Sequence, residues 1–383
     1  MAEVEIGAGK SARRAYGLEE ISIVPTRRTR DPEDVDISFQ LDAYHFALPV
    51  IAAPLDGVVS PEVAVRLGEL GGLAALNLEG LWTRYEDPLP LLEEIAGLDA
   101  ERATPRLQEL YSAPLQPDLL RQRIREIAAT GAVTCGALTP QRAADLAPVI
   151  LDAELDVLII HGTVVSAEHV SKRVEPLNLK KFIRELDIPV VVGGCSSYQA
   201  ALHLMRTGAV GILVGLAPGG ASTTRDVLGI DVPAATAIAD VVGARSRHLE
   251  ETGVYVQVIA DTGLGGGADL VKAVACGADA VMLGGALAAA TGAPGHGRYW
   301  GTGAAHATLP RGTTLAVEGT GDLETVLLGP AHEGGGRTNL CGALRRAMAM
   351  CGYASIREFH KAEIVIGAPG AEREPARSDP AIH

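Results

Sequence analysis

Positive charge is scarce in this chain. Its 383 residues carry 33 lysines and arginines against 47 aspartates and glutamates, a formal net charge of −14. Such a surplus repels nucleic acid and anionic membrane surfaces, so neither is expected as a partner. The five cysteines, Cys135, Cys195, Cys276, Cys341 and Cys351, form no C-x-x-C pair and fall mostly in apolar or strand-like segments. That distribution argues against a disulfide framework and reads as reduced thiols of a cytoplasmic protein. No basic start with an apolar core precedes residue 50, and no apolar run is long enough to span a membrane. The chain reads as soluble and untargeted, and no metal ligand set is assigned.

Apolar residues are plentiful, at 47%, enough for one large α/β domain with a buried core. A recurring unit organises the middle of the chain: a helical pattern, a Gly or Asp, then four to six apolar residues closed by small ones. Candidate strands fall at 48–53, 73–77, 132–137, 156–161, 189–193, 211–215, 256–261 and 280–284. Their Val/Ile/Leu runs lack polar alternation, as parallel strands do when both faces are covered. Between them, Ala234, Ile238, Val241 and Val242 mark one apolar helix stripe. A doubly wound open sheet shows similar alternation, but eight strands favour a single-domain (β/α)8 TIM barrel.

The last two strands carry the strongest functional signal. The seventh ends in D-T-G-L-G-G-G at 261–267 and the eighth in Gly284 and Gly285. Glycine lets backbone amides approach an anion, and a following helix N-terminus adds partial positive charge, so two such turns form a phosphate cradle. In a TIM barrel that cradle follows strands seven and eight. The Asp261 carboxylate beside it suits the two hydroxyls of a ribose. The expected ligand is a nucleoside monophosphate.

Around the barrel, the expected layout is an N-terminal segment at 1–47 and a barrel over 48–366. The barrel includes a helical insertion at 81–120 and a mobile lid at 291–338, and a disordered tail follows at 367–383.

The run V-G-L-A-P-G-G-A-S-T-T-R at 214–225 resembles the active-site loop of inosine monophosphate dehydrogenases and guanosine monophosphate reductases, V-G-I-G-P-G-S-I-C-T-T-R. Other matches follow in order: A-P-L-D at 53–56, I-A-D-T-G at 259–263, M-L-G-G at 282–285, Y-W-G-T-G at 299–303 and G-A-L-R-R at 342–346. The layout is most similar to the dehydrogenase-related branch without CBS domains, since 81–120 is too short for two such modules. The resemblance implies a purine nucleotide (IMP, GMP or XMP) with its ribose on Asp261. Its phosphate would lie on Gly219, Gly220, Gly263, Gly284, Gly285 and Tyr299, and its base near Thr302 and Gly303. It also implies NAD or NADP as cofactor, with Gly215, His161 and Cys195 on the cofactor side, and a homotetramer. Potassium dependence is not legible.

The redox half departs from the family pattern. The nucleophilic cysteine is replaced by Ser222, whose hydroxyl, unlike a thiol, needs a neighbouring base to attack. Thr224 matches a family threonine that serves the leaving group or water. His161 stands where an aspartate binds the nicotinamide ribose, and is either a new base or a histidine satisfied by backbone. Cys195 stands where an asparagine is expected, and reads as an apolar filler or a relocated nucleophile. The R-x-P-Y-K-G lid sequence is absent. Arg311 lies near its place, and Arg337 lies in an insertion, 329–337, that the usual pattern lacks. Two functions follow: hydride transfer at purine C2 of IMP or GMP, or purine-nucleotide binding without turnover.

Overall fold

The structure, a computed structural model, describes residues 3–172, 175–216, 220–309 and 312–367. Gly219, Arg311 and the expected tail from 368 onward lie outside the described residues. Eight parallel strands form a closed barrel. They are β1 Val50–Ala52, β2 Leu73–Asn77, β3 Cys135–Leu138, β4 Val157–His161, β5 Val190–Cys195, β6 Gly211–Val214, β7 Gln257–Ala260 and β8 Ala280–Leu283. Each pairs with the next, and β8 returns to β1 through Met282 and Ile51. The fold is the expected (β/α)8 barrel.

Most strand ends shift by one or two residues from the sequence reading, and two of the shifts have a structural cause. β3 begins three residues late because Thr134 turns its N–H and its hydroxyl to the Asp156 carboxylate, each at 2.8 Å. β5 runs on to Cys195, through a register shift between Gly193 and Cys195.

Unbroken apolar runs conceal a period of two. Ile51, Leu73, Ala75, Val157, Ile159, Leu213, Ile259 and Met282 share one buried cluster inside the barrel. Their neighbours Val50, Ala52, Leu158, Ile160, Val258 and Leu283 pack outward under the helices. Below, the hairpin Phe39–Leu41 and Tyr44–Phe46 plugs the barrel, with Phe39 stacked on Phe46 at 5.1 Å. Helices cover the outside. On Ala234–Thr252 the buried stripe runs through Ala237, Ile238, Val241 and Ala244, and the expected Ala234 and Val242 sit at its edge.

The same alternation aims the last residue of a strand. Val157 and Ile159 point inward, so His161 faces the barrel mouth; Ile259 points inward, so Asp261 does too. The 81–120 stretch holds the helices Leu89–Gly97 and Ala100–Leu110. The 291–338 lid contains an antiparallel pair, Arg298–Trp300 with Thr314–Ala316, and the helix Leu323–Leu328.

One buried carboxylate ties these additions to the barrel. Asp56, just past β1, accepts the Leu81 N–H at 2.8 Å and the hydroxyl of Tyr111, which in turn accepts the Trp300 indole N–H at 3.1 Å. Three segments distant in sequence meet there. Asp56 is 1% exposed and its Oδ1 has no hydrogen-bond partner. Burial pushes its pKa up to about 6, against the lowering effect of Tyr111 and Leu81. The folded chain therefore holds a proton that the unfolded chain releases near the ordinary aspartate value. Stability falls as pH rises from about 4 through 6, and at pH 7 this group costs about 3 kcal/mol. Asp56→Asn keeps an acceptor for Leu81 and removes the titration. Denaturant unfolding is expected to show the variant gaining on the parent by about that amount between pH 4 and 7. A stability difference independent of pH contradicts the assignment.

Candidate functional site

A cavity of about 820 Å³ opens at the C-terminal mouth of the barrel, near the top of the ~300–1,000 Å³ range of small-molecule pockets. Asp261, Gly263, Gly284, Gly285, Tyr299, Thr302 and Gly303 line it, together with Gly215, Gly220, Ser222, Thr224 and His161. Twelve of the fourteen residues singled out in the sequence therefore line one cavity. Gly219 is outside the described residues.

Cys195 is the exception. The register shift at the end of β5 turns it to the outer, helix-facing cluster, where it is 2% exposed and its thiol leans on the Ser197 carbonyl at 3.7 Å. Burial raises its pKa, which keeps the thiol protonated. It does not line the cavity, so neither a cofactor contact nor a relocated nucleophile remains for it.

The anion cradle is built as the glycines require. Among the described residues, no hydrogen bond is made by the N–H groups of Gly263, Gly284 or Gly285. Those donors border a cavity, which leaves them for a ligand. A Cβ at position 285 would come within 2.8 Å of the Tyr299 hydroxyl, so glycine there lets the phenol close on the cradle. Burial raises the Tyr299 pKa, which keeps the group a neutral donor. The helix N-terminus expected to help is partly occupied. The Gly267 N–H donates to the Gly336 carbonyl at 2.8 Å, and Gly265 donates to Asp269 at 3.0 Å.

Across the mouth, His161 Nε2 lies 3.5 Å from Asp261 Oδ2. The two sequence readings of His161 were a free base or a histidine satisfied by backbone; its partner is instead the carboxylate itself. Ser222 Oγ is 3.0 Å from Thr224 Oγ1, and no imidazole or carboxylate among the described residues hydrogen-bonds to Ser222. Thr223 Oγ1 accepts the Gly312 N–H at 2.8 Å, which pins the lid to the loop.

The lining also holds residues that sequence reasoning did not assign: Glu79, Gln141, Arg142, Leu228, Ile230, Glu318 and Thr320. Gln141 and Arg142 lie in the first turn of the helix Pro140–Asp152 that follows β3. Pro140, a proline suited to a helix start, was the available signal. Nothing in the composition of the lid distinguishes Glu318 from a solvated carboxylate.

Comparison with known proteins places these features in context. The family model described as the IMP dehydrogenase / GMP reductase domain matches residues 15–375. A Mycobacterium tuberculosis protein (strain H37Rv), described as an uncharacterized oxidoreductase, is 51% identical over 373 residues, 95% of this chain and all of that one. An inosine-5'-monophosphate dehydrogenase of Methanocaldococcus jannaschii is 26% identical, with 95% of each chain covered. The crystal structure of an IMP dehydrogenase/GMP reductase-like protein from Corynebacterium glutamicum superimposes with a TM-score of 0.91 at 44% identity, covering 95% of this chain and 98% of that one.

Gly215 supplies a test of the site's construction. Its φ is +146°, and a Cβ there would overlap the Asp261 carbonyl oxygen. Gly265→Ala, where the nearest atom lies at 3.7 Å, is a matched control. Gly215→Ala is expected to cost roughly 2–4 kcal/mol in denaturant unfolding and Gly265→Ala less than about 0.5 kcal/mol. Equal costs contradict the described packing.

Proposed function

The chain belongs to the IMP dehydrogenase/GMP reductase family, and on that premise we propose that it binds a purine nucleoside 5'-monophosphate and transfers hydride at C2 of IMP or GMP with NAD or NADP. The observation that carries this reading is the convergence on one cavity wall of a carboxylate, three amides without partners and a neutral phenol.

Each group has a distinct task. Asp261 accepts the ribose 2' and 3' hydroxyls, and Gly263, Gly284 and Gly285 donate to the phosphate with Tyr299. Gly220 extends the cradle, and Thr302 and Gly303 meet the purine. Glu318, which has only acceptors when ionised, complements the N1–H shared by IMP and GMP and has a second oxygen for the exocyclic amine of GMP. His161 holds the Asp261 carboxylate from the opposite side.

The rest of the cavity fits a dinucleotide. Thr139, Gln141 and Arg142 line it at the start of the helix Pro140–Asp152, whose N-cap makes no side-chain hydrogen bond, and Leu216, Leu228 and Ile230 add an apolar flank. The Thr139 N–H already donates to a Glu79 carboxylate oxygen at 2.5 Å, so Arg142 is the group of this stretch suited to a pyrophosphate. When bound, the nicotinamide supplies the hydride acceptor or donor. A homotetramer belongs to the same proposal.

One observation favours the second reading, nucleotide binding without redox turnover. Ser222 is paired with Thr224, and no base is bonded to it. Attack by a hydroxyl requires that its proton be taken.

Calorimetric titration with IMP, GMP and XMP, followed by absorbance of reduced nicotinamide with both cofactor couples, tests the two readings together. Tight purine monophosphate binding is expected, with GMP preferred over its 2'-deoxy analogue. Asp261→Asn is expected to lower affinity roughly tenfold and to abolish that preference. Ser222→Cys is expected to raise turnover. Binding without turnover in the parent supports the second reading, and no binding of any purine monophosphate overturns both.

A further inference from the structure

The cavity as described so far has an electrostatic deficit. A phosphate monoester brings about two negative charges near neutral pH, by analogy with the phosphorylated side chains whose second pKa is about 6. The lining already carries the carboxylates of Glu79, Asp261 and Glu318. Amides and a phenol offer partial charge only. A full positive charge at the phosphate end is the missing complement.

Among the described residues, two arginines line the cavity, Arg142 and Arg337. Arg142 is 3.7 Å from Asp145 on its own helix. The Arg337 guanidinium forms no ion pair among the described residues. Arg337 belongs to the insertion at 329–337 that sets this chain apart from the usual family pattern.

That insertion is organised around one carboxylate. Glu333 accepts the N–H groups of Gly335, Arg337 (2.6 Å) and Thr338 (3.1 Å), and the Thr338 hydroxyl at 3.3 Å. The backbone of Arg337 is thereby fixed, and the residue, exposed overall, borders the cavity. Gly336 then docks on the loop after β7, where its carbonyl accepts the Gly267 N–H at 2.8 Å. A Cβ at Gly266 would lie 2.9 Å from the same carbonyl oxygen, so the segment seats against bare backbone. The insertion thus covers the helix start that otherwise faces an anion, and its arginine lines the same cavity as Gly263 and Gly265. Thr320 also lines the cavity, and its buried hydroxyl has no hydrogen-bond partner among the described residues.

We infer that Arg337 is the charged ligand of the substrate phosphate, delivered by the Glu333-braced insertion to replace the helix N-terminus that the same insertion occupies. This assignment rests on the monophosphate reading above and adds to it the group that neutralises the phosphate.

The test is calorimetry with GMP, guanosine and ribose 5-phosphate on the parent and on Arg337→Ala, Arg337→Lys and Arg346→Ala. Arg346 is an exposed arginine on the helix Leu340–Met350 and controls for net charge. Arg337→Ala is expected to weaken GMP roughly 10- to 100-fold and to leave guanosine unchanged, with a shallower dependence on salt. Arg337→Lys is expected to fall between, and Arg346→Ala to match the parent. Unchanged guanosine binding also reports an intact fold. GMP binding by Arg337→Ala within about twofold of the parent overturns the assignment and leaves the purine reading standing. If the parent binds ribose 5-phosphate through Arg337 but no purine nucleotide, the assignment stands and the purine reading falls. Binding of none of the three ligands by the parent overturns both.

Discussion

Closure of the barrel decides where each strand's last inward side chain goes, and the site follows from that constraint. With both faces covered, β4 and β7 alternate inward and outward residues without any polar marker. The first residue to emerge beyond the packed interior is His161 on one and Asp261 on the other. Their 3.5 Å approach is a consequence of strand parity as much as of local chemistry. A slip of one residue in either strand would exchange its buried and open faces, at the cost of the core. The core therefore positions the carboxylate.

The electrostatics of the mouth then follow from a division of labour between backbone and side chain. Unbonded amides at Gly263, Gly284 and Gly285 need only glycine and a turn, whereas Asp261, Glu318 and Arg337 each depend on a specific side chain. Asp56 works at the rim in a different way. Its carboxylate gathers β1, the helical insertion and the lid strand, and its ionisation is resisted by burial. The lid is thus fastened by a group whose charge is costly, while the ligand end is open to a charge brought by the substrate.

Most of the fold was legible because strand periodicity and glycine placement are local properties. Eight apolar runs, two glycine-rich strand ends and an aspartate beside them were sufficient to place the mouth of the barrel. Cys195 was misplaced because its orientation depends on a register shift within β5, which is a pairing property that residue types do not encode. The start of β3 moved because the Asp156 carboxylate, 22 residues from Thr134, captures its donors. Glu318 was silent for another reason, and Arg337 was noticed only as a residue of an insertion. An acidic or basic residue in a polar loop looks the same whether it meets solvent or a cavity, and only the fold of the lid and of the Glu333 turn decides.

The same division explains how one half of the site can stay intact while the other changes. Phosphate held by main-chain amides tolerates substitution around it, because the donors persist whatever side chains surround them. Under the proposed reading, chemistry at the purine depends on single atoms, and the oxygen of Ser222 in place of a family sulfur would alter the nucleophile while the amide donors of the cradle stay available. His161 has the same character: where the family pattern has an aspartate it turns toward Asp261, which under the proposed reading joins it to the nucleotide half of the cavity. Both substitutions leave the anchor and redirect side chains around it. A site built this way keeps its ligand first, and its reaction is the part free to diverge.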